Sequence, residues 1–519
     1  MIRRKIGLKA GLAMAAMLMA GLGGGTATAQ DNTAATLHAD TPGATVDRHI
    51  FSQFAEHLGY GIYGGIWVGK DSKIPNIKGY RKDVVEALRA LHVPLVRWPG
   101  GCFADEYHWR DGIGPTRPTR INTNWGGVTE PNTFGTHEFM DFAELIGADA
   151  YVSGNVGSDA PSAFEDWVHY MTAPEGSLAE ERARNGRKEP WKLAYVGIGN
   201  ELWGCGGNMR ADYAADITRR YASFIKPPAG VKIQKVASGA NGDDTNWTEV
   251  MMREAGKQID GVGLHYYTVP GDWKHKGSAT DFNEVDYART MAKTWKMEEL
   301  LEKHSAIMDK YDPARRVNLA VDEWGIWVDV EPGTNPGFLY QQNSLRDGLL
   351  AAMNINIFVH HAERVRMTNI AQMVNVLQSM ILTKDAKMVL TPTYHVFDMY
   401  RPFQDATTLP LDLPKTWFNR DEWTAPAVTG SAVKGKDGLV HVALVNIDPG
   451  KAHHLEIALT GLNATQVSGR ILTAARVQDV NDFTTPARVA PAAFTGAVVQ
   501  NGKLVLDVPA KALVVLDLR

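Results

Sequence analysis

The sequence predicts a (β/α)8 barrel followed by an antiparallel β-sandwich. Three observations carry that prediction. Extended, mostly apolar segments alternate with segments of helical period through the middle of the chain. Several of the extended segments run out at a polar or charged residue, and past about Arg401 the alternation gives way to period-two strands separated by turn signals. A doubly wound open sheet is the main alternative, but no Gly-rich phosphate fingerprint follows the first strand.

Taken in order, the chain opens with Arg3, Arg4 and Lys5, an Ala/Met/Leu-rich stretch to about Leu22, and Ala27-Thr28-Ala29. A charged, then apolar, then small-residue pattern predicts a cleaved leader over residues 1–29 and export to periplasm or medium. The arginine pair fits both the twin-arginine route and an ordinary leader. No later apolar run reaches the roughly 18 residues of a membrane-spanning helix. Residues 34–39 are strand-like. Residues 81–91 place Val84, Leu88 and Leu91 on one helical face, and the extended 93–97 runs into Pro99-Gly-Gly. A helix over 136–146 leads to a strand over 150–155. The strand at 193–200 precedes a helix with Tyr213, Ile217, Tyr221 and Phe224 in register. A strand over 232–240 ends at Asn241, and 262–266 contains His265. A long helix over 288–311 precedes the strand that ends in Glu323, and a helix over 341–353 precedes the last extended piece, 365–371. In the C-terminal part, Leu455-Glu-Ile-Ala-Leu459 alternates, as do Leu504, Leu506 and Val508, with turns at Asp448-Pro-Gly450 and Asn501-Gly502. The division expected is a leader at 1–29, an N-terminal strand region at 30–46, a barrel at 47–400 and a sandwich at 401–519, the two domains packing firmly.

The chemistry is carried by Glu201 in Tyr195-Val-Gly-Ile-Gly-Asn-Glu-Leu-Trp203 and Glu323 in Val317-Asn-Leu-Ala-Val-Asp-Glu-Trp-Gly325. Each ends an apolar strand, and the C-terminal ends of barrel strands form the active-site face. Two carboxylates so placed are what cleavage of a glycosidic bond requires, one as acid and one as nucleophile or base. Asn200 is suited to bond a sugar 2-hydroxyl. A Glu at a helix start is the bland reading of Glu201 alone; the pairing with Glu323 decides against it. His265 reads either as a satisfied core histidine or as a pocket residue. Glu56-His57 lacks the second histidine of a zinc helix, so no metal is expected, and neither a nucleophile elbow nor a phosphate loop is present. The formal charge of -4 offers no field for a nucleic-acid backbone. Most of the 14 Trp read as core packing, with stacking on sugar faces as the second reading. The two cysteines, Cys102 and Cys205, sit in Gly-rich loops. Spacing does not decide their pairing, and free thiols are expected.

The segments Phe54-Ala-Glu-His-Leu-Gly59, Arg97-Trp-Pro-Gly-Gly-Cys-Phe-Ala-Asp-Glu-Tyr-His-Trp109, Gly199-Asn-Glu201, Leu264-His-Tyr-Tyr267, Asp322-Glu-Trp-Gly325 and Asn369-Ile-Ala-Gln-Met-Val-Asn-Val-Leu-Gln378 closely resemble glycoside hydrolase family 51, the α-L-arabinofuranosidases. The resemblance implies a retaining exo-acting enzyme without cofactor, acting on arabinose-containing polysaccharides and oligosaccharides. It also implies a sandwich completed by the N-terminal strand and, by family habit, a hexamer. Carried onto this chain, Glu201 is the acid/base and Glu323 the nucleophile. Glu56, Arg97, Asn200 and Gln372 bond the sugar hydroxyls or the nucleophile, His265 and Tyr267 flank the nucleophile, and Trp125 and Trp327 wall the sugar. Cys102 stands where many members have Asn, which removes one hydrogen bond to substrate. An endo-glucanase of the same family and a carbohydrate-binding protein without catalysis are the competing readings.

Overall fold

Eight parallel strands close a barrel in the order in which they occur along the chain: Ser52–Phe54, Leu95–Trp98, Asp149–Gly154, Tyr195–Ile198, Gln234–Asn241, Gly261–Thr268, Asn318–Ile326 and Val365–Ile370. Closure is made by the eighth strand on the first, with Asn369 opposite Ser52. The structure is a computed structural model that describes residues 34–519, so the leader expected at 1–29 lies outside the described residues.

The interior of the barrel is a packed layer of Leu95, Tyr151, Tyr195, Val236, Ala320 and Met367, one from each of six strands. Because side chains alternate along a strand, the opposite faces of the same strands pack outward against the helices. Val96, Val152 and Val196 meet Leu88, Phe139 and Val168 there in the largest core cluster. The expected helix over 136–146 is found as Thr136–Ile146, ended by Gly147 at φ 78°, and the long one as Glu284–Tyr311, capped by Asn283, whose side chain accepts from Asp286 N at 2.9 Å. The helix Ala211–Phe224 corrects the register expected for it. Tyr213 and Phe224 are exposed, and the buried face is Ala214, Ala215, Thr218, Tyr221 and Ala222. The inward stripe is thus largely alanine, and it is not the aromatic one.

The C-terminal strands form two sheets. One runs Leu411–Asp412, Ala34–His38, His453–Thr460, Lys503–Val508, Ala497–Gln500; the other runs Thr407–Leu409, Val428–Lys434, Val440–Asn446, Ala512–Leu518, Val467–Leu472, Ala492–Phe494. Their inner faces share one core that includes Leu37, Leu444, Leu455, Ile457, Leu504, Leu506, Val514 and Leu516. The N-terminal strand is thus internal to a C-terminal sheet, parallel to His453–Thr460 and antiparallel to Leu411–Asp412. Polar contacts tie sandwich to barrel: Tyr287 donates to Ile447 O at 2.6 Å, and Ser431 Oγ to Asn356 Oδ1 at 2.6 Å.

Candidate active site

Six of the eight barrel strands deliver a polar side chain to one end of the barrel. Glu56 follows the first strand, Arg97 lies in the second, and Asn200 and Glu201 follow the fourth. His265 and Tyr267 lie in the sixth, Asp322 and Glu323 in the seventh, and Gln372 follows the eighth. All the parallel strands end on the same face, so residues more than 300 positions apart in sequence converge.

The two glutamates and His265 form the centre. Glu201, His265 and Glu323 each present a carboxylate oxygen or ring nitrogen within 4.8 Å of those of the other two. His265 and Glu323 are register partners on adjacent strands, just past an irregularity at Gly263/His265 that re-aims the sixth strand. His265 Nδ1 lies 2.9 Å from Glu201 Oε1 and 3.5 Å from Glu323 Oε2, while its Nε2 is 3.2 Å from Asp322 Oδ1. Burial alone would push His265 down. The charges of Glu323 and Asp322, with the bonds to Asp322 and Glu201, outweigh it and raise the imidazole to about 10. Glu201 is raised above the ordinary glutamate range, first by burial and then by the Glu323 charge, against the pull of the His265 bond. Glu323 accepts from Arg97 Nη1 at 2.8 Å and from Tyr267 OH at 2.8 Å.

Around this centre the backbone is held in unusual shapes. Glu201 itself sits at φ 44°, a left-handed conformation rare outside glycine. Its carbonyl accepts from Gly204 N at 2.7 Å and Gly206 N at 3.1 Å. A Cβ on Gly206 would meet Asn200 O at 2.0 Å, so the turn that presents Glu201 needs glycine there. Asp105 braces the same turn. It accepts from Asn200 N, Val156 N and Gly157 N, each at 2.8 Å, and burial still raises it to about 7.

Glu56 forms a second carboxylate position. It accepts from Trp125 Nε1 at 2.8 Å, Phe103 N at 3.1 Å and Gln372 Nε2 at 3.1 Å. Burial first and the Glu323 charge second raise it to about 7, in spite of those donors. Gly101 packs directly on it, since a Cβ there would stand 2.7 Å from both carboxylate oxygens. Arg97 links the centre to the turn after the fourth strand through Asn200 Oδ1 at 2.6 Å. Trp125, Tyr267 and Trp327 pack on a small apolar cluster of Phe54, Leu58, Leu339, Ala371, Val376 and Leu377. Every candidate residue from the sequence therefore falls at this end of the barrel.

One expectation is overturned there. Cys102 and Cys205 are not free thiols but a disulfide, S–S 2.12 Å with Cα atoms 5.5 Å apart. The loops after the second and fourth strands meet at the same barrel end, which brings the two Cα atoms within bridging distance, and a separation of 103 residues gives no sign of it. Cys205 Sγ lies 3.6 Å from Glu201 Oε2, so a disulfide, not a thiol, borders Glu201. Two residues escaped the sequence reading. Asp322 is a charge inside an apolar strand, a signal that was available beside Glu323. Asp105 acts through backbone donors scattered along the chain and carries no comparable mark. Burial works against the Asp322 charge, but Arg97 and His265 outweigh it and hold that carboxyl below its ordinary range.

Comparison with known proteins follows the same lines. Residues 87–284 match the model of the alpha-L-arabinofuranosidase 1 domain and residues 322–512 that of the alpha-L-arabinofuranosidase C-terminal domain. The chain is 51% identical over 496 residues, 95% of its length and 96% of the relative's, to an intracellular exo-alpha-L-arabinofuranosidase of Bacteroides ovatus. The GH51 arabinofuranosidase of Xanthomonas axonopodis pv. citri superposes with TM-score 0.93 at 58% identity, over 94% of this chain and 99% of that one. An alpha-L-arabinofuranosidase of Thermotoga maritima, solved as an arabinose complex, superposes with TM-score 0.82 at 28% identity, over 93% and 99%. The Bacteroides relative also corrects the localisation expected from residues 1–29. That enzyme is intracellular, so the export reading, which rested on the composition of those residues alone, is withdrawn.

Proposed function

Because the chain belongs to glycoside hydrolase family 51 and is an exo-α-L-arabinofuranosidase, we propose that it frees terminal non-reducing arabinofuranosyl residues from arabinoxylan, arabinan and their oligosaccharides by a retaining double displacement. The carrying observation is the close approach of Glu201 and Glu323, with carboxylate oxygens within 4.8 Å of each other. Retaining glycosidases place their carboxyl groups about 5–5.5 Å apart, whereas inverting ones leave room for a water at about 6.5–9.5 Å.

In this reading Glu323 attacks the anomeric carbon as Glu201 protonates the departing glycosidic oxygen. Water then attacks the arabinosyl-enzyme, with Glu201 taking its proton. Since Glu201 Oε1 faces His265 Nδ1, the transferable proton belongs on Oε2, beside the disulfide. Arg97 and Tyr267 fix the oxygens of Glu323, and His265 bridges the two carboxylates. Glu56, Asn200 and Gln372 take the sugar hydroxyls; Gln372 Oε1 is buried without a hydrogen-bond partner among the described residues, which suits an acceptor for substrate. Trp125 and Trp327 wall the ring, and the Cys102–Cys205 bridge packs beside it. Self-association into a hexamer belongs to this reading on family resemblance alone.

Removal of each glutamate tests the roles. Glu201→Ala is expected to lose about 10²–10⁴-fold on natural linkages while sparing the first step on activated aryl arabinofuranosides, whose leaving groups need no proton. Glu323→Ala is expected to lose turnover on both and, given a small anion such as azide, to yield an inverted adduct. Equal losses for Glu201→Ala on good and poor leaving groups, or an inverted first product from the wild type by proton NMR, would overturn the assignment.

A further inference from the structure

Trp273 is the most exposed large hydrophobic residue among those described, at 62%. It lies between the sixth barrel strand and the helix Glu284–Tyr311, on the face that carries the site. A single exposed indole means little by itself, but this one is held out by an ordered loop. Asp272 Oδ1 accepts from Lys274 N at 2.7 Å and His275 N at 2.9 Å. Gly271 N bonds Lys276 O at 2.9 Å, and Asp329 accepts from Lys276 N at 3.1 Å and Gly277 N at 3.0 Å. From beneath, Lys293 Nζ bonds the carbonyls of Val269, Pro270 and Gly271. So many bonds on one short loop fix the backbone that carries the ring, and the ring itself packs against Trp327 and Lys276.

The ring also continues a line that begins at the nucleophile. Tyr267 OH bonds Glu323; the Tyr267 ring meets Trp327 edge-on with centroids 5.1 Å apart; Trp327 meets Trp273 the same way at 5.5 Å. Lys276 Nζ stands 6.0 Å from the Trp273 ring and 5.9 Å from the Trp327 ring. Each step outward is comparable with the length of one sugar unit, and the line ends in solvent. The apolar C–H face of a sugar ring and an indole face are complementary surfaces, and an indole fixed before binding loses little freedom when it is covered.

We propose that Trp273 is a stacking platform for a sugar ring of the carrier chain, beyond the arabinofuranose that is cleaved, and so selects oligosaccharide and polymer over arabinosides with small leaving groups. This rests on the arabinofuranosidase reading of the Glu201–Glu323 site and adds a substrate preference to it. The test compares wild type, Trp273→Ala and Trp273→Phe on methyl α-L-arabinofuranoside and on arabinan- and arabinoxylan-derived oligosaccharides; a methyl group is too small to reach Trp273. Trp273→Ala is expected to lose about five- to tenfold in kcat/KM on oligosaccharides, mostly in KM, to stay within twofold on the methyl glycoside, and to be partly restored by Phe. A loss confined to one oligosaccharide series supports the platform and names its sugar. Equal losses on methyl glycoside and oligosaccharides, a changed oligomeric state on gel filtration, or oligosaccharide kinetics matching wild type would each overturn the platform alone. A wild type that frees arabinose from none of these overturns the function beneath it as well.

Discussion

Glu56 is a carboxyl that the fold prefers to keep protonated, and its consequence for stability has a definite sign. Its value rises from 4.5 to about 7 in the folded protein. Between those values the native state binds the proton that the unfolded chain releases, so stability falls as pH climbs through the window and the loss is complete above about 7. That cost is up to about 3 kcal/mol at pH 8. Glu56→Gln removes the titration while keeping the shape, and Gln372, whose Oε1 is unpartnered, can rotate its amide to accept from the new NH2. Thermal melts from pH 5 to 8 are expected to show the variant gaining on the wild type as pH rises; parallel curves would refute the buried-carboxyl account. The meeting of Glu201 and Glu323 at one barrel end was legible in the sequence because each follows an apolar run that reads as a barrel strand. Asp105 was not, because its work is accepting N–H groups from residues as distant as Asn200, a relation that exists only after folding.

Among the elements, the two loops joined by Cys102 and Cys205 hold the two halves of the site together, one beside Glu56 and the other beside Glu201. Alkylation under denaturing conditions is expected to label no cysteine without reductant and two after reduction, read by mass; labelling of both without reductant would contradict the bridge. The Cys102→Ala, Cys205→Ala double variant should melt lower, by an amount equivalent to about 2–4 kcal/mol. Elements with long apolar periods were legible almost to the residue, as Thr136–Ile146 illustrates. The first barrel strand, Ser52–Phe54, was not, because three residues show no periodicity and only pairing to both neighbours makes them a strand. The helix Ala211–Phe224 misled for a different reason: its aromatic stripe partly faces solvent, and its inner face is largely alanine, which carries a weak hydrophobic signal.

At the scale of the whole molecule, the first described strand, Ala34–His38, lies inside a sheet built from the C-terminal part of the chain. Leu37, fully buried, packs with Leu455, Leu504 and Leu506 from the far end of the sequence. Deleting residues 1–39 is therefore expected to lower the melting temperature and promote aggregation, by opening a hydrophobic sheet edge beside His453–Thr460. Deleting only residues 1–33 should spare the sheet; equal behaviour of the two truncations, measured by melting and light scattering, would show that the strand does not matter. The same threading sets an order in time. The strand leaves the ribosome before the barrel, and its parallel partner emerges only after the barrel has been synthesised. Until then its hydrophobic edge has no mate, and a nascent chain halted before residue 453 carries a finished barrel with an adhesive end. A stretch made late thus seals one made early, and synthesis past residue 460 becomes a condition for the early strand to be safe.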